Sequence, residues 1–138
     1  MSKGIPAEGA RSGLYRSPAD VNTLRERLLA QGFAWFEIDC SQVRTKQQLL
    51  EIFARTLSVP QTFGYNWDAL ADVLQDLSWV PTQGHALHLR NAGSAAGRFG
   101  GEWNVLLEVL ARSTMYWKSQ GREFIVLIDE APGLPEWK

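Results

Sequence analysis

The sequence predicts an α/β fold: a small three-stranded parallel sheet flanked by helices, with an extra helix on its N-terminal side. Three observations predict it. Apolar periodicity orders the chain as helix, strand, helix, helix, strand, helix, strand, and strands separated by helices imply crossovers and parallel pairing. The run "FIVLI" at 124–128 is apolar at every position, as in a strand covered on both faces. Capping-box-like pairs, Ser17 with Asp20 and Thr45 with Gln48, mark two helix starts.

Each element follows from its residues. Positions 1–13, rich in Gly, Ser, Ala and charge, read as a flexible arm, with one domain over 14–138. "SPAD" then opens a helix: Ser17 caps, Pro18 suits the first helical position, and Val21, Leu24 and Leu28 form the apolar stripe. Gly32 ends it. "FAWFEID" is a compact apolar run and reads as the first strand. Leu49, Leu50, Phe53 and Leu57 share one face of the next helix, which Val59-Pro60 stops. A helix follows from Asn66, and "HALHL" at 85–89 is a second strand. "NAGSAAGRFGG" reads as a loop. Trp103, Leu106, Leu107 and Leu110 then recur at helical spacing over 102–119, and Gly121 closes that helix before the last strand.

The bulk numbers narrow the function. The chain has 138 residues, is 45% hydrophobic and carries a formal net charge of −1. That length suits one domain with a core of its own. The near-zero charge predicts neither general nucleic-acid binding nor attraction to membranes. A single cysteine, Cys40, cannot form an internal disulfide. The start lacks a signal peptide's apolar core, and no run approaches the ~18 apolar residues of a membrane span. The expectation is a soluble protein of the reducing cytoplasm, monomeric before it meets a partner.

The charge is not spread evenly. From 56 to 89 there is no Lys or Arg, yet Asp68, Asp72 and Asp76 stand there at four-residue spacing. Asn66 is a favourable N-cap. Trp67, Leu70, Leu74 and Leu77 then share one helical face, and at ~100° per residue the three acids fall on the other. Like charges at i, i+4 cost a helix a few tenths of a kcal/mol per pair. Asp68 gains from the helix dipole in the first turn, but Asp76, near the C-terminal end, does not. Helix stability therefore accounts for Asp68 and not for the whole stripe. The stripe is either a solvated face or a surface that attracts a cationic partner.

The pattern Gly64, Asn66, Asp68, Ala69, Leu70, Asp72 within "FGYNWDALADVL" resembles the corresponding segment of the barstar-like family of ribonuclease inhibitors. The similarity extends more weakly over 35–129 and includes a "WVP" at 79–81. The resemblance implies a barstar-like α/β fold, no enzymatic activity, no cofactor, and a protein partner, a cationic microbial ribonuclease, rather than direct contact with nucleic acid. It implies that loop and acidic helix plug the nuclease active site, with carboxylates standing where substrate phosphates would lie. Asp72 would be central and Asp68 its neighbour. Gly64 and Asn66 would shape the loop, Gly64 through its conformational freedom. Phe63, Tyr65 and Asp76 would complete the partner-facing set. The departures are Thr62 in place of a second family tyrosine, Ala71 in place of an aromatic residue, and Arg112 in place of an acid. A barstar-like module that binds another basic protein or toxin is the alternative.

Other constellations carry less. His85 and His88, three apart on a strand, point to opposite faces and make poor metal geometry. Cys40 suits a small core residue. "GRFGG" lacks the Lys and spacing of a P-loop. Asp68 and Asp72 as an acid–base pair would need burial to tune them, whereas the helical wheel turns them toward water. Trp67 and Trp103 lie on apolar stripes. Trp79 and Trp137 are candidates for either core or contact.

Overall fold

A computed structural model describes residues 11–77, 82 and 84–137. The chain runs β1 (Gly13–Arg16), α1 (Val21–Ala30), β2 (Phe33–Asp39), α2 (Lys46–Leu57), α3 (Trp67–Asp76), β3 (Gly84–Arg90), α4 (Ala95–Phe99), α5 (Gly101–Ser119) and β4 (Glu123–Ile128). The sheet is wholly parallel, as the alternation predicts, but it has four strands in the order β1-β4-β3-β2. The expected sheet had three.

The additional strand ties down residues 11–13 of the expected N-terminal arm, while residues 1–10 lie outside the described residues. Gly13 pairs with Ile125, and Arg11 is tied down by its guanidinium, which donates to Glu123 at 2.7 Å. The Ser12 hydroxyl accepts from Phe124 N and donates to Arg122 O. "GLYR" is too short and mixed to show a period. It becomes a strand because β4 offers it an open edge. The helix start also moves. Asp20 is the N-cap of α1, accepting from Thr23 N and from the Thr23 hydroxyl. Ser17 instead continues the sheet, its N–H donating to Ile128 O. Part of the expected loop at 91–101 is helical, forming α4.

Alternation along each strand builds two cores. On one face Ile38, Leu87, Leu89, Phe124, Val126 and Ile128 meet the apolar stripes of α2, α3 and α5. On the other, Phe33, Ala86, Ile125 and Leu127 meet Leu24 and Leu28 of α1. β3 and β4 are therefore covered on both sides, and this is why their sequences are apolar almost throughout. Cys40 is buried, and burial pushes its thiol up to about 12. The Thr45–Gln48 capping box forms as predicted. The C-terminal tail returns to β1: Arg16 N donates to Pro135 O, Trp137 N donates to Arg16 O, and the Trp137 ring stands edge-on to Tyr15.

His85 and His88 are both buried and lie on opposite faces of β3. His85 faces Trp117 and Phe124. His88 faces Trp35, with Nε2 2.8 Å from Asp129 and Nδ1 3.5 Å from Glu37. Burial would raise Glu37, but hydrogen bonds from Trp35 and His88 outweigh it and hold the carboxyl below its usual range. Asp129 is likewise lowered: His88 and the Asn91 N–H outweigh its desolvation. Asp39 is held down at about 2 by the Asn91 amide and by Ser41.

Candidate acidic interface

Asn66 begins α3 as predicted. Its backbone is extended, and its Oδ1 accepts from Ala69 N at 2.7 Å, satisfying a donor that the first turn would otherwise leave free. Its Nδ2 reaches back to Gly64 O at 3.3 Å. One side chain thus fixes both the helix start and the loop before it. Gly64 itself does not adopt a positive φ. That conformation falls on Tyr65, at φ 52°. What Gly64 provides is room, because a Cβ there would stand 3.3 Å from Asn66 Nδ2.

The inner face of α3 is strongly held. Leu70 and Leu74 are fully buried. The Trp67 indole N–H donates to Glu102 at 3.1 Å, and Lys46 pairs with the same carboxylate while lying over the Trp67 ring. At the other end the Trp117 indole N–H donates to Leu74 O at 2.7 Å, satisfying a carbonyl of the last turn. α3 is therefore pinned to α5 near both termini.

The outer face carries the acids. Asp68, Asp72 and Asp76 are exposed, and among the described residues none of them has a hydrogen-bond or ion-pair partner. No basic residue stands in the last turn of α3. The stripe spans about 12 Å at 1.5 Å per residue. Carboxylates fixed on a rigid helix and unclaimed by any described cation can receive cations from outside with little ordering cost.

Phe63 departs from expectation. At 8% exposure it belongs to the core beneath the loop, so it supports the surface rather than forming it. Tyr65 is the exposed aromatic, with its ring against Phe63 at 4.8 Å between centroids. Helical periodicity gives no signal here, because a loop position has no period. Arg112 is exposed and pairs with Glu108 one turn back on α5. The "WVP" at 79–81, with Trp79, lies outside the described residues. Trp137 packs against Tyr15, far along the chain from the acids. Among the described residues no group of three or more His, Cys, Asp or Glu is arranged to hold a metal, and no helix is long and apolar enough to cross a membrane.

No curated protein matches the chain. A family model described as Barstar (barnase inhibitor) matches residues 33–129. That span begins at β2 and ends just after β4, and it contains the whole of α3 and its loop. With most of the chain matched and the acidic helix inside the match, this protein belongs to the barstar family.

Proposed function

We propose that this chain is an intracellular inhibitor of a cationic microbial ribonuclease, blocking its active site with α3 and the loop before it. A ribonuclease site is built to stabilise anionic phosphate, so it also receives carboxylates. The observation that carries the reading is the set Asp68, Asp72 and Asp76: exposed, free of partners among the described residues, and mounted on a helix pinned to α5. Family membership supports it. Asp72 sits at the middle of the stripe, flanked by Asp68. Gly64 and Asn66 fix the approach, and no catalytic role falls to any of these residues.

The test is inhibition of RNA cleavage by barnase and by other small cationic secreted ribonucleases. Asp72→Ala and Asp68→Ala should each weaken inhibition more than tenfold, where every tenfold is about 1.4 kcal/mol. Added salt should slow association, since charges farther apart than a Debye length of ~10 Å at 0.1 M are screened. Variants that inhibit as well as the parent would refute the mechanism.

One observation favours the second reading, a module for a different basic protein or toxin. β1, α1 and the tail lie outside the matched span and enlarge the body around the family fold. Salt-sensitive binding to a basic protein with no effect on RNA cleavage would decide for it.

A further inference from the structure

The loop leading into α3 holds one residue in a conformation that its side chain resists. Tyr65 has φ 52°, in the left-handed region where a Cβ crowds the backbone. A glycine stands next to it at 64, yet the positive angle falls on the tyrosine. The ring is 44% exposed. Its base is anchored, because the Phe63 ring it rests on belongs to the core. Among the described residues nothing hydrogen-bonds its hydroxyl. Beside it runs a groove of about 480 Å³, lined by Tyr65, Ala54, Val59 and Pro60 together with the charged Glu51 and Arg55. Strained backbone at an exposed aromatic residue persists where the surroundings impose it, and such positions cluster at binding sites.

We propose that Tyr65 is a specificity-determining contact of the acidic interface, its ring lying against an arginine or lysine of the basic protein whose other cations meet Asp68 and Asp72. The inference rests on the ribonuclease-inhibitor reading and adds a non-ionic half to that surface. Tyr65 immediately precedes the Asn66 cap, and Asp68 follows three residues on in the first turn of α3, both of them exposed. A cation drawn there by the carboxylates meets an aromatic face, which attracts it further once water is displaced. The groove leaves room for the aliphatic stem of such a side chain, and Glu51 in its lining gives the approaching cation a further carboxylate. An uncharged ring acts after encounter, at contact distance. Its loss therefore speeds dissociation, whereas loss of a carboxylate slows association and alters the salt dependence.

The experiment measures association and dissociation rates of the full chain on barnase and the other cationic ribonucleases, together with the thermal midpoint. Tyr65→Gly should dissociate about tenfold faster with an unchanged association rate. Its thermal midpoint should stay within a few degrees of the parent's, since relief of the positive φ offsets the freedom that glycine adds to the unfolded chain. Tyr65→Phe, which keeps the ring, should stay within threefold of the parent. Dissociation of Tyr65→Gly within twofold of the parent would overturn the proposal. So would a midpoint several degrees lower in Tyr65→Gly, because the ring would then serve to cover Phe63. If Asp72→Ala weakens inhibition and Tyr65→Gly does not, only this inference falls. If the parent inhibits none of the ribonucleases, the reading beneath it falls as well.

Discussion

Asn66 shows how much one side chain can organise. Its two polar atoms join Gly64 O to Ala69 N across the start of α3. Replacing an Asn cap by Ala costs about 1 kcal/mol. Asn66→Ala should therefore lower the urea midpoint by that equivalent, and should weaken inhibition further because the loop loses its tie. Asn66→Asp, which keeps the acceptor, should restore most of the stability. The cap was legible in the sequence because it depends on a residue's own chemistry and its distance from the next apolar run. The positions around it were less legible. Phe63 and Tyr65 are both aromatic and two apart, and nothing local tells which one turns inward. The buried wall formed by α2 and α3 makes that choice, taking Phe63 and leaving Tyr65 outside.

Among the elements, α3 was readable from its own sequence and its fastenings were not. The 3.6-residue period separates Leu70 and Leu74 from Asp68 and Asp72 without knowledge of any neighbour. The bonds from Trp67 to Glu102 and from Trp117 to Leu74 join residues 35 and 43 positions apart, beyond the reach of any window along the chain. The same holds at the ends of the strands. There Glu37 on β2, His88 on β3 and Asp129 just after β4 converge. Glu37, Asp39 and Asp129 all have folded-state pKa values below the ordinary carboxylate range. Their stabilising contribution is therefore complete above the unfolded values near 4 and is lost as pH falls through the folded ones. The urea midpoint should drop steadily between about pH 4 and 2. In Asp129→Asn that acid limb should be shallower. An acid limb as steep as the parent's would show that Asp129 has no part in it.

For the whole molecule, the division into two cores puts α1 and the acidic helix on opposite sides of the sheet. Leu28 is fully buried between α1 and the sheet, on the side away from α3. Leu28→Ala should cost about 2–5 kcal/mol. Inhibition per folded molecule, measured well below the transition, should match the parent. A change in affinity would mean that the α1 layer and α3 are coupled through the sheet.

By itself the sequence determined the class of fold, the caps of α2 and α3, and the segregation of acids from leucines along α3. Each of these depends on neighbours within a few residues, where period and side-chain chemistry suffice. Only the tertiary structure decided that 13–16 joins the sheet, that Phe63 is core, and that Tyr65 carries the strained backbone. It also decided that no described cation claims the three aspartates. Those outcomes belong to long-range packing, in which an open strand edge, a hydrophobic wall or a distant arginine settles what local preference leaves undetermined.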